Sequence, residues 1–148
     1  MIYYFAYGSN MNPERIVERG IRFNGFEKGI IKNAKLKFNK TALKSNEGFA
    51  NISFNHKSDV EGILYEISNH REINKLDRFE GYPWHYTRCR MMIRLSNGGV
   101  KIAYVYVANP VFVKSGLKPS EEYLNHLLQA KQYLSKEYFK KLEAIQCI

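Results

Sequence analysis

From Arg88 to Leu95 the side chains alternate in character, with Cys89, Met91, Ile93 and Leu95 interleaved with Arg88, Arg90, Met92 and Arg94. A period of two sends one set to each face of a β-strand. Asn97-Gly98-Gly99 follows, in residue types that tolerate positive φ, and then a second run from Ile102 to Ala108. Two strands joined through such a turn make a hairpin, so any fold of this chain must accommodate an antiparallel ladder near residues 88–108.

The other segments fix what surrounds that ladder. Ile2 to Ala6 is short, continuous and aromatic-rich, the pattern of a buried strand. After Tyr7-Gly8-Ser9-Asn10, Asn12 can cap a helix that has Pro13 at its first position. Further strands are expected at Ala34 to Asn39, Phe49 to Phe54 and Val60 to Ile67. Ser68 to Phe79 reads as a helix, with Ser68 or Asn69 as cap, Ile73, Leu76 and Phe79 at helical spacing, and Gly81 as the stop. Ser120 and Ser135 can each cap a C-terminal helix, carrying Leu124, Leu127 and Leu128 in the first and Tyr138, Leu142 and Ile145 in the second. The order β-α-β-β-β-α-β-β-α-α lacks the regular alternation of a doubly wound sheet. It predicts an α+β fold with a small mixed β-barrel or strongly curved sheet flanked by helices, in one domain over residues 1–148 with no repeat or long linker to divide it.

Composition narrows the classes of function. A 45% hydrophobic content is that of a chain with a core, which argues against disorder. No apolar run approaches the roughly 20 residues of a membrane span, and the start shows no signal-peptide pattern, so a cytoplasmic, membrane-free protein is expected. Cys89 and Cys147 stand apart without Cys-x-x-Cys spacing and read as free thiols, Cys89 packed in its strand and Cys147 exposed near the end. The four histidines show no metal spacing, so no metal is expected. The net charge of +9 raises the question of nucleic acid. However, the basic residues are spread along the chain and interrupted by apolar ones, as on a solvated surface, and no RNA-binding signature accompanies the aromatic residues.

Two segments carry chemistry. Glu80 follows Leu76 by four residues and Ile73 by seven, so it projects from the apolar side of its helix. Burial disfavours its charged form, and the negative end of the helix dipole acts in the same direction. Its proton is then held more tightly than on a free glutamate, which suits a group that must both take and give one near neutral pH. The alternative is a helix-terminal glutamate turned to water or paired with Arg78 or Arg88, and Asp77 is the local competitor. In Tyr7-Gly8-Ser9-Asn10, Gly8 opens backbone conformations closed to other residues and a helix N-terminus follows. Such a turn can offer N–H donors to a carboxylate or to an oxygen gaining negative charge, although an ordinary strand-to-helix turn has the same composition. Gly-x-Ser-x-Gly is absent and no Asp/His pair is indicated, so a serine protease is disfavoured.

Read in order, Phe5-Ala6-Tyr7-Gly8-Ser9-Asn10-Met11, Gly48-Phe49-Ala50-Asn51-Ile52, Asp59-Val60-Glu61-Gly62-Ile63-Leu64-Tyr65-Glu66, Leu76-Asp77-Arg78-Phe79-Glu80-Gly81-Tyr82 and Pro119-Ser120-Glu121-Glu122-Tyr123 resemble the γ-glutamylcyclotransferase family over most of the chain. The resemblance implies a small mixed barrel flanked by helices. It also implies a cofactor-free enzyme that closes a small-molecule γ-glutamyl compound to 5-oxoproline and releases its amine or amino acid. Glu80 would be the general acid/base, Tyr7, Gly8, Ser9 and Asn10 would bind the glutamyl end, and Tyr123 would close the pocket. Trp84, His85 and Tyr86 would line the acceptor side, and a homodimer is compatible with the pattern. This chain has Gln129-Ala130 where the family often has Gly-Ala, which weakens the assignment of Tyr123. The competing reading is a non-catalytic anion- or nucleic-acid-binding module on the same fold.

Overall fold

In the computed structural model, which describes residues 1–148, five strands close into a barrel. Around it they run β1 (Ile2–Ala6), β3 (Gly48–Ile67), β2 (Phe23–Thr41), β4 (Tyr86–Leu95) and β5 (Val100–Ala108). Four helices flank the barrel: α1 (Pro13–Glu18), α2 (His70–Glu80), α3 (Glu121–Leu128) and α4 (Lys136–Glu143). This is the mixed α+β barrel that the sequence predicts. β1 runs antiparallel to β3 and meets β5 in parallel at Tyr4↔Tyr104, so the barrel is mixed at its first strand. The β4–β5 hairpin is in register from Tyr86↔Ala108 to Arg94↔Val100, as the alternation requires.

The central strands differ from expectation. Phe49 to Phe54 and Val60 to Ile67 are not separate strands but parts of the single strand β3. Between Lys32↔Asp59 and Ala34↔Phe54 the ladder breaks, and residues 55–58 of β3 bulge opposite Asn33. Asn33 and Asn55 adopt positive φ there, 58° and 63°, which asparagine tolerates better than most residues. The polar interruption that resembles a turn is therefore a bulge, which bends a strand without ending it. The first half of β2 also departs from the sequence pattern. Asn24, Gly25, Lys28 and Gly29 are poor strand formers, and that segment is a strand because β3 supplies its ladder from Phe23↔Ile67 onward.

The expected caps are in place: Asn12, Asn69, Ser120 and Ser135 each accept a backbone N–H of the first turn with their side chains. Asn69 rather than Ser68 starts α2, and Gly81 ends it in the left-handed conformation at φ 65°. Near its start, α2 is pinned by Glu72, which is fully buried. Its carboxylate accepts from the Arg22 N–H at 3.0 Å, from Arg22 Nε at 3.1 Å and from Lys75 Nζ. Burial alone would raise the Glu72 pKa, but these bonds outweigh it and hold the group below its ordinary value. The buried anchor fixes the helix that delivers Glu80. Cys89 and Cys147 are free thiols, and Cys147 is half-buried against the core rather than exposed. No helix is long and apolar enough to cross a membrane.

Candidate active site

A cavity of about 620 Å³ opens at one end of the barrel, where the loop after β1, the C-terminal end of α2, the β2–β3 connection and α3 converge. Tyr7, Gly8, Ser9, Asn10, Glu80 and Tyr123, far apart in sequence, all line it.

The loop is held from within. Tyr7 is buried and its hydroxyl donates to the Tyr106 carbonyl across the barrel. The Asn10 side chain donates to Tyr4 Oη at 2.9 Å and accepts from Arg19 Nη1 at 2.9 Å, while its carbonyl accepts from Tyr65 Oη at 2.7 Å. Asn10 is thus a brace whose amide is already engaged at both ends. Ser9 to Met11 form a single 3-10 turn. The Tyr7 and Gly8 N–H groups donate to no protein acceptor. A Cβ on residue 8 would lie 3.1 Å from Ala50 Cβ and 3.1 Å from Tyr123 Oη, so glycine allows α3 to close down on the loop. Tyr123 Oη accepts from the Ala50 N–H at 3.1 Å. Its proton has no protein acceptor, and burial pushes its pKa up to about 12, so it stays a donor at neutral pH.

Glu80, the last residue of α2, is half-buried in the cavity wall, and its carboxylate makes no hydrogen bond or salt bridge to the protein. Burial raises its pKa to about 7, against the pull of Arg19, Lys40 and Arg15. The pairing with Arg78 or Arg88 is not adopted. Arg88 pairs with Asp77 instead, and Asp77 also accepts from Tyr106 Oη at 2.6 Å. Hence Asp77 is spent on a structural network, and Glu80 is the carboxylate left free to act on a ligand.

Three cations that line the cavity pull on this carboxylate, and the sequence pattern does not single them out. Arg15 and Arg19 come from α1 and its C-terminal cap, and Arg19 lies over the Phe79 ring at 4.7 Å. Lys40 is buried near the end of β2. The signals existed: Arg15 and Arg19 have the i,i+4 spacing of one helix face directly after the loop, and Lys40 follows Ala34, Leu36 and Phe38 at strand spacing on an apolar face. Of the acceptor-side candidates, His85 and Tyr86 line the cavity, whereas Trp84 is 76% exposed and stands outside it. No cluster of three metal-ligating side chains occurs.

The family described as Gamma-glutamyl cyclotransferase, AIG2-like, matches residues 4–134. Among solved structures, a gamma-glutamyl cyclotransferase superposes with a TM-score of 0.86 at 28% identity, over 99% of this chain and 89% of the other. An uncharacterized protein from Homo sapiens matches equally well, with the same TM-score, identity and coverage. A yeast gamma-glutamyl cyclotransferase specific to glutathione shares the fold at a TM-score of 0.69 and 14% identity, over 95% of this chain and 93% of that one. No curated protein matches the sequence. With nearly the whole chain matched, including the loop after β1 and the end of α2, this protein belongs to the gamma-glutamyl cyclotransferase, AIG2-like family.

Proposed function

We propose that the protein converts a small γ-glutamyl compound to 5-oxoproline, with Glu80 as general base and then general acid. The observation that carries this reading is a single unpaired carboxyl group in a cavity that also offers free N–H and O–H donors. The substrate's α-ammonium gives a proton to ionised Glu80. The freed amine attacks the γ-carbonyl carbon, the new C–N bond closes a five-membered lactam, and negative charge gathers on the carbonyl oxygen. The Gly8 N–H and the Tyr123 hydroxyl are the donors for that oxygen. Glu80 then returns the proton to the departing nitrogen as its bond to carbon breaks; the carboxylate so regenerated takes the second proton from the ring nitrogen, which leaves a neutral lactam, and passes it to the released amine, which departs as an ammonium. A pKa of about 7 serves both halves, since neither protonation state is costly at neutral pH.

Nucleophile and electrophile belong to one molecule, so the protein's task is to fold the glutamyl chain into a near-attack geometry. The loop Tyr7 to Asn10 and the field of Arg15 and Arg19 hold the glutamyl end, and Tyr123 covers it from α3. The test is incubation of the purified protein with γ-glutamyl-alanine and with γ-glutamyl amines, followed by chromatographic detection of products. The expected result is 5-oxoproline and free amine in equal amounts. Release of glutamate would mean hydrolysis, and no release from any member of the panel would remove the proposal.

A further inference from the structure

Lys40 differs from the other lysines of the chain. It is only 4% exposed, and its Nζ donates to one protein group, the Thr41 carbonyl at 2.7 Å. It makes no salt bridge, although an ammonium carries three donors and burying one without a counter-charge is costly. The rings of Phe49, Tyr86 and Phe112 stand 5.9, 5.6 and 5.3 Å from Nζ and offset part of that cost. Beside it, His85 stacks on Phe112 with ring centroids 4.4 Å apart, and its Nδ1 is buried with no partner. Both side chains line the cavity described above.

The charges in that cavity are arranged in two poles. Arg15 and Arg19 enter it from α1 and its C-terminal cap, with Arg19 over the Phe79 ring. Lys40 enters from the end of β2, among the rings of Phe49, Tyr86 and Phe112. The cavity that Glu80 lines therefore has one cationic pole on the α1 side and a second at the end of β2. A γ-glutamyl compound in this cavity has its α-carboxylate on one side of the proton-transferring group and its departing amine on the other. With the arginine pole taken by the glutamyl end, the lysine pole is left for whatever the amine carries.

We infer that Lys40, assisted by His85, is the specificity-determining residue for the departing group, receiving a carboxylate on the carbon next to the departing nitrogen. This rests on the cyclisation reading above. It commits the site to γ-glutamyl amino acids over γ-glutamyl amines that lack that carboxylate.

The test compares γ-glutamyl-alanine with γ-glutamyl-alaninamide, which differ only in the charge of the departing group, in the native protein and in Lys40→Met. The native protein should favour the carboxylate, and Lys40→Met should lower the ratio of the two kcat/KM values by about tenfold to a hundredfold, the loss expected for one charge-assisted hydrogen bond. Most of the change should fall on KM for γ-glutamyl-alanine, with Lys40→Arg keeping part of the preference. An unchanged ratio in folded Lys40→Met, or no preference in the native protein, overturns the inference while leaving cyclisation intact. No 5-oxoproline from either compound removes both. If Lys40→Met does not fold, product inhibition of the native protein decides: stronger inhibition by alanine than by alaninamide supports the inference, and equal inhibition overturns it.

Discussion

Glu80→Gln should abolish 5-oxoproline formation and at the same time make the protein more stable above pH 7. The amide keeps the size of the side chain but can neither accept nor return a proton, so turnover should fall by roughly 10²- to 10⁴-fold, the range associated with a general acid/base. The stability effect follows from the same burial. The folded protein holds the Glu80 proton up to about pH 7, whereas the unfolded chain releases it near 4.5. Stability therefore falls as pH rises between these values, and the whole penalty is present above the higher one. Glutamine does not ionise and escapes it. Urea unfolding should show Glu80→Gln gaining up to about 2–3 kcal/mol above pH 7 and nothing below about pH 4. A loss of stability in the variant at pH 8 would mean that the glutamate is part of the scaffold. Retained turnover would take it out of the chemistry.

The second large effect concerns the scaffold beneath the loop. Gly62 of β3 faces the end of β1, and a Cβ built there would lie 2.3 Å from the Ala6 carbonyl oxygen and 2.7 Å from Phe5 Cζ. One of these atoms is backbone, so the clash cannot be relieved by a rotamer change. Gly62→Ala should cost about 3 kcal/mol, at the upper end of overpacking penalties. That is a large part of the 5–15 kcal/mol that stabilises a typical domain. Because Ala6 leads directly into Tyr7 and Gly8, variant protein that still folds should also lose turnover. Chemical denaturation measures the first effect and the 5-oxoproline assay the second; a variant with native stability would show that β1 is free to shift.

The sequence was informative where local chemistry decides structure. The hairpin at residues 88–108 follows from alternation and its Asn-Gly turn, and the caps at Asn12, Asn69, Ser120 and Ser135 follow from side chains that satisfy their own helix ends. It was less informative where a distant partner decides. The first half of β2 has weak strand propensity and is a strand because β3 pairs with it, and the polar stretch at 55–58 bulges instead of turning because β2 continues alongside. Glu80 was legible as a carboxylate on an apolar helix face. What separates it from Asp77 was not, because that depends on Arg88 and Tyr106, which arrive from β4 and β5. The role of Lys40 is hidden in the sequence, since a lysine at strand spacing reads as an exposed residue unless the apolar face it continues is followed to its end.

The most direct test of the account is the pH dependence of kcat/KM for 5-oxoproline release by the native protein, taken with a γ-glutamyl amino acid between pH 5 and 9. A base that must be ionised, with a pKa of about 7, predicts a rate that falls tenfold per pH unit on the acid side of that value. A rate that stays level down to pH 5 would place an ordinary, solvated carboxylate at the centre of the reaction and contradict the sheltered Glu80 described here.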